Sequence, residues 1–351
     1  VRLRQGRLNE AYELYHHSTE RAYDKQGNLL PIAGETLMGL GEYHRESNQL
    51  DKAYDLIVKG IEQTNLWRDV AALDGYISLA RLYISKRELD EAEAALDKAM
   101  QLAQKYDVLE LDDRLVEMWQ ARLWIARGDY TAAERWAQAL GFDMISDWES
   151  LQYQKHIQAM LLSREAVIFA RLCYKQGVYQ RVLQIVQGIS PYFQQLGRLD
   201  SVIELTILKS LTLQAMSAGE GAVTAIVDAL KISAPSGFLR IYLDEGKPLL
   251  TLLRKAAGSA VPQPYYNQLL AHFSKPIDVV HVIPQPLVEP LSERELDVLR
   301  LLATNLTAPE IAEELIVGVT TVRTHVKHIY SKLDVHKRSA AVGKAIELGI
   351  L

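Results

Sequence analysis

Residues 87–100 read RELDEAEAALDKAM: a polar residue, then a leucine, then an alanine-rich amphipathic helix. Leucine and alanine favour helix, and the apolar positions return at helical spacing, so the stretch has one face to bury. A single such helix is marginal in water and needs a neighbour to cover that face. The neighbour is legible, because the phrase recurs. It appears as GRLNEAYELYHH from Gly6, NQLDKAYDLIVKG from Asn48 and GDYTAAERWAQAL from Gly128. Looser copies are GVYQRVLQIVQGI from Gly177 and GEGAVTAIVDALK from Gly219.

Successive starts lie 42, 39, 41, 49 and 42 residues apart. Between them lie other amphipathic segments, such as LMGLGEYHRES, DGYISLARLYISK, VEMWQARLWIARG and SREAVIFARLCYKQG. Each period therefore predicts two antiparallel helices joined by a short turn at the Gly or Asn, and the series predicts an α-solenoid. The motif resembles tetratricopeptide repeats, although their usual period is about 34 residues.

Composition sets the outer limits. The chain has 351 residues, 48% hydrophobic and 24% charged, with a net charge of -5, so any nucleic-acid site must be local. One cysteine, Cys173, excludes an internal disulfide and reads as a small buried hydrophobe. No apolar run approaches the ~18 residues of a membrane span, and no signal-peptide core opens the chain. No metal-ligand spacing, nucleophile elbow or phosphate loop is present: DEGKPLL carries Gly246–Lys247 without the preceding glycine. An enzyme is not expected, nor is a cofactor. Trp119, Trp124, Tyr130 and Trp136 either pack between helices, their ordinary role, or line a groove. His16–His17 and Tyr265–Tyr266 are expected to be solvated or packed, not ligands.

Six of the eleven prolines fall between Pro262 and Pro290. Proline removes a donor and fixes φ, so residues 1–255 are assigned to the repeats, 256–290 to a proline-rich linker and 291–351 to a C-terminal domain. Within the linker, YYNQLLAHF suggests a short helix and IDVVHVI a strand.

The C-terminal domain reads as four helices. SERE at Ser292–Glu295 and TAPE at Thr307–Glu310 are capping boxes opening the first two. After a tight turn, TTVRTHVKHIYSKL (320–333) forms the third, and SAAVGKAIELGIL the fourth. On a wheel of about 100° per residue, Val322, Val326, Ile329 and Leu333 share an arc of roughly 60°. Thr320, Arg323, Thr324 and Lys327 lie opposite, Thr321 and His328 on the flank, and His325 nearer the apolar side. Charge divides the same way. Residues 319–351 carry six basic side chains, including Lys332, Lys337 and Arg338, against two acidic ones. Two short helices, the second basic outward and β-branched inward, match a helix-turn-helix.

Residues 291–351 resemble a complete LuxR-type DNA-binding domain, meeting its pattern at LSERELDVL, IAEEL, TVRTH and KLDVHKR. Asn305, Asp297 and Gly318 depart from the glycine, glutamate and serine usual there. Gly318 can cap a helix but offers no hydroxyl to a phosphate. The resemblance implies that Arg323, Thr324 and Lys327 face bases, that Thr321, His328 and Lys332 lie near phosphates, and that dimers form on DNA through Ser339–Leu348. Repeats followed by SGFLRIYLDEGKPLLTLL and such a domain resemble MalT-like regulators. That likeness implies a cytoplasmic bacterial protein whose repeats sense an inducer or partner protein, with an ATPase upstream. The absence of an initiator Met and the start within a helical pattern fit a fragment. The expectation is thus an all-α transcription regulator binding double-stranded DNA. A scaffold using the repeats for partners and the C-terminal bundle for dimerisation is the alternative.

Overall fold

The computed structural model describes residues 2–66, 68–106, 110–142, 156–274, 293–304, 306–315, 317–333, 335 and 337–347. The chain divides into two compact units, Val1–Lys275 and Pro276–Leu351. Both are helical. Among the described residues the one pairing of extended backbone is a bridge between Tyr23 and Leu29.

The first unit runs α1 (Leu8–Glu20), α2 (Ala33–Glu46), α3 (Leu50–Asn65), α4 (Ala72–Lys86), α5 (Leu89–Tyr106), α6 (Glu110–Arg127), α7 (Tyr130–Ala139), α8 (His156–Lys175), α9 (Tyr179–Gln195), α10 (Leu199–Ala215), α11 (Gly219–Ser233), α12 (Arg240–Leu243), α13 (Lys247–Lys255) and α14 (Gln263–Ser274). The repeated phrase opens the odd-numbered helices α1 to α11. Its first residue ends the preceding even helix in the left-handed region: Asn48 at φ 58°, Arg87 at 66°, Gly128 at 83° and Gly177 at 78°. A left-handed residue there lets the next N–H groups return to the last carbonyls. Val178 N–H, for instance, donates to Cys173 O at 2.9 Å. Before α11 this role passes to Ser217, at φ 62°, rather than to Gly219.

Each helix buries its apolar stripe against its sequence neighbours, so the core is a chain of linked clusters, as a solenoid requires. Cys173 is fully buried there, and burial pushes its thiol up to about 12, as its apolar context predicts. Trp136 is buried; Trp124 and Tyr130 pack against the same cluster, and Trp119 is half-buried. Helices α2 and α3 meet at two glycines. A Cβ on Gly60 would lie 2.8 Å from Gly34 O, and one on Gly34 would lie 2.6 Å from Gly60 O.

The repeat region extends further than the prolines suggest. Helix α14 packs Tyr265, Tyr266 and Leu269 into the last cluster, and Tyr266 Oη donates to Leu253 O at 3.0 Å. Pro262 and Pro264 flank the start of this helix, where a missing N–H costs nothing. The linker therefore begins no earlier than residue 275. The strand expected in IDVVHVI lies outside the described residues, as does Ser292 of the first capping box.

The two ends of the first unit meet. Leu8 lies in the same cluster as Ile203, Phe238 and Tyr242. The segment leading into α12 is stitched to the ends of α2 and α4. Leu239 N–H donates to Glu46 O at 3.0 Å, and Arg240 donates to Asn48 Oδ1 at 2.8 Å and to Ser85 O. Asp244 accepts from Arg240 Nε at 2.7 Å and from Ser85 Oγ at 3.0 Å. Arg240 is only 7% exposed, so its charge depends on these partners. The helices line an open cavity of about 800 Å³.

Candidate nucleic-acid interface

The second unit contains α15 (Glu293–Leu302), α16 (Ala308–Glu314), α17 (Val319–Lys332) and α18 (Arg338–Glu347). Its core joins Val298, Leu299 and Leu302 of α15 to Ile311 and Ala312 of α16. Val322, Ile329 and Leu333 from α17 and Ala341 and Ala345 from α18 complete it. The buried stripe of α17 is thus the one read from the wheel, with Val326 partly buried beside it and His325 half-buried.

Local chemistry sets the two helix starts. Glu310 reaches back to the Thr307 N–H and hydroxyl, both at 2.6 Å, which forms the backward arm of the second capping box. Those hydrogen bonds hold the Glu310 carboxyl below its ordinary range. The turn closes with Val317 N–H on Ala312 O at 2.9 Å. Gly318 O then accepts from Thr321 N–H at 2.9 Å and caps α17. A Cβ on Gly318 would lie 3.6 Å from the hydroxyls of Thr320 and Thr321, so a serine has room there.

The buried stripe turns the opposite face of α17 to solvent. Thr320, Thr321, Arg323, Thr324, Lys327 and His328 are all exposed, as is Lys337 beyond the helix. Thr324 Oγ1 donates to Thr320 O at 3.0 Å. Arg323 and Lys327, one turn apart, have no ion-pair partner among the described residues. They are free to meet an external anion.

Two predicted contacts are instead turned inward. Lys332 Nζ lies 2.9 Å from Glu295 Oε2, and Glu295 is only 4% exposed. His328 Nδ1 stands 3.8 Å from the other oxygen of the same carboxylate. Arg338 donates from Nε to Leu302 O at 3.0 Å and from Nη2 to Thr304 O at 2.7 Å, closing the end of α15. A cation at a helix C-terminus complements the dipole and the orphan carbonyls. That role was hidden in the sequence, because 34 or more residues separate these partners.

A helical-repeat unit joined to a small domain with an exposed cationic helix defines the class: a repeat protein carrying a helix-turn-helix. Comparison with known proteins gives the family. The MalT-like TPR region matches residues 1–259, and the bacterial regulatory proteins of the luxR family match residues 289–345. The chain belongs to the MalT-like repeat family and carries a luxR-family domain. It is 25% identical over 375 residues to the HTH-type transcriptional regulator MalT of Yersinia pestis (strain Pestoides F). It is 23% identical over 371 residues to that of Serratia proteamaculans (strain 568). Both alignments cover 99% of this chain and 40% of the relative, so the chain spans about two fifths of the curated relatives it matches.

Proposed function

We propose that this chain is the sensing and DNA-reading part of a cytoplasmic transcription regulator. In it, α17 enters the major groove with Arg323, Thr324 and Lys327 toward base edges. Thr320, Thr321, His328 and Lys337 lie toward phosphates, and the repeats respond to an inducer or partner protein. The observation that carries this is the exposed Arg323–Lys327 face, with no ion-pair partner among the described residues, set opposite the fully buried Val322 and Ile329. A helix so fixed presents donors to a groove without reorganising. Lys332 and Arg338 hold the reading helix in place rather than touch DNA, and α18 supplies the dimer contact. Catalysis is assigned to no residue of this chain.

Gel-shift titration against a randomised promoter library tests the proposal. Arg323→Ala is expected to weaken selected sites by about tenfold or more, as loss of a base contact worth ~1–3 kcal/mol requires, and to relax specificity. Lys337→Ala should reduce the salt slope of binding by about one, as loss of one phosphate contact requires. Binding indifferent to both substitutions and to salt would instead support the scaffold alternative.

A further inference from the structure

The even-numbered helices face the cavity through the same four positions. These are Glu35, Met38, Gly39 and Glu42 on α2, then Asp74, Ile77, Ser78 and Arg81 on α4. They continue as Leu115, Met118, Trp119 and Arg122 on α6, and as Arg164, Val167, Ile168 and Arg171 on α8. The spacing i, i+3, i+4, i+7 is one helix face, repeated at the period of the solenoid. The first position of the four changes from acidic on α2 and α4, through apolar on α6, to basic on α8. The cavity is thus polarised by sequence.

Most charges on its wall are already paired. Arg81 holds Glu42 at 2.7 Å, Arg171 holds Glu204 at 2.7 Å and Glu245 at 2.6 Å, and Arg198 holds Asp200 at 3.0 Å. Arg164 and Arg4 are different. Both line the cavity, and neither has an ion-pair partner among the described residues. Arg122 is also without a direct partner; burial and Arg171 act against its charge, but three carboxylates, Glu245, Glu204 and Asp244, face it where Arg164 meets one. Around Arg164 the facing charges are Arg4, Arg198, Arg81 and Asp200, three cations to one acid that Arg198 already holds. Burial, with Arg4 and Arg198 adding to it, pulls the Arg164 guanidinium down to about 9 from its ordinary 12.5. An unpaired, partly desolvated guanidinium among cations costs folding energy, and such costs concentrate where a ligand completes the site. A second sign stands on the same wall: Arg81 Nε, Glu42 Oε1 and Glu46 Oε2 are buried without a hydrogen-bond partner.

Apolar surface adjoins the cationic end. Val167 and Ile168 follow Arg164 on α8, and Leu115, Met118 and Trp119 follow on α6, while Arg81 stacks on the Trp119 ring at 4.9 Å. We propose that this cavity binds a small organic anion, with Arg164 and Arg4 receiving its carboxylate or phosphate and the α6–α8 apolar face receiving its carbon body. This deepens the sensing half of the function proposed above and rests on it. An 800 Å³ cavity is of the size that takes a metabolite rather than a peptide.

Thermal unfolding of the chain with benzoate or phenyl phosphate, against benzyl alcohol or phenol at equal ionic strength, decides the matter. The anions should raise the melting temperature of the repeat unit by about 3 °C at tenfold over Kd, and the uncharged compounds should not. Comparison of the two anions tells carboxylate from phosphate. Arg164→Gln should abolish the shift, whereas Arg135→Gln, on the exposed face of α7, should keep it. Without ligand, Arg164→Gln should melt at or above the wild-type temperature, since it removes an uncompensated charge. A shift shared by the uncharged compounds, a shift retained in Arg164→Gln, no shift with either anion, or ligand-free Arg164→Gln melting more than about 2 °C lower would each overturn the proposal. Gel shifts on the same preparations separate the two ideas: lost DNA binding with intact anion binding removes only the regulator, and the reverse removes only the anion site.

Discussion

Lys332 and Arg323 are both basic residues of α17, yet they do opposite things. Arg323 is exposed and unpaired, while Lys332 has its ammonium on a carboxylate that is almost fully buried. Burying a charge is tolerable only when it is paired, so Glu295 relies on partners such as Lys332. Lys332→Ala is expected to lower stability by about 2 kcal/mol, less than for a fully enclosed pair because Lys332 keeps some solvent contact. Arg323→Ala should change stability by less than about 0.5 kcal/mol, as surface substitutions do. Urea unfolding of the two variants makes the comparison. Equal losses would mean that both cations brace the domain. The wheel placed Arg323 opposite the buried stripe, where it stands exposed. It could not say which of the two cations finds a carboxylate 37 residues earlier in the chain.

At the scale of elements, the helices follow from period and caps. The six recurring phrases open α1, α3, α5, α7, α9 and α11, and TAPE opens α16. What separates one helix pair from another is how closely they approach, and glycine decides that for α2 and α3. In an open helix, Gly→Ala gains up to about 1 kcal/mol from propensity. At Gly60 the new methyl would lie 2.5 Å from Met38 Cγ and 2.8 Å from Gly34 O, and overpacking of this kind costs about 1–3 kcal/mol. The clash wins, so Gly60→Ala should destabilise. Gly221→Ala in α11 meets nothing nearer than Leu213 Cδ1 at 3.5 Å and should stabilise by a few tenths of a kcal/mol. Opposite shifts of the urea midpoint are the expected result. The helix expected in YYNQLLAHF forms, but as α14 it packs into the repeat unit and not into a linker, with Pro262 and Pro264 at its start.

The whole first unit depends on contacts that return to its beginning. Asp244 joins α12 to the end of α4, and its ionisation is the test. Burial works against its charge, but Arg240 and Arg45 outweigh that and hold its pKa below the ordinary value. A carboxyl depressed in the folded state contributes stability that is complete above its unfolded pKa, about 3.9, and is lost as pH falls through the folded value. Stability should therefore decline below about pH 4, and Asp244→Asn should be less stable at pH 7 with a flatter profile in that acid window. Glu42 and Glu204, also depressed, add to the same slope, while Glu46, raised chiefly by burial, opposes it. Chemical unfolding at stepped pH reads the difference.

Local order in the amino-acid pattern sufficed for the helices, their pairing and the cationic face of α17, because helix periodicity reports which face each segment must bury. Even the four-position stripes of the cavity stand in the chain at intervals of 39, 41 and 49 residues. Their meaning does not stand there. Whether Arg164 is unpaired and whether Leu8 meets Tyr242 depend on small rotations between successive helix pairs that accumulate around the solenoid. Those rotations bring together groups up to 224 residues apart, as in the 3.0 Å contact of Asn48 with His272. Periodicity specifies each repeat against the next, whereas closure and charge pairing belong to the sum of all of them.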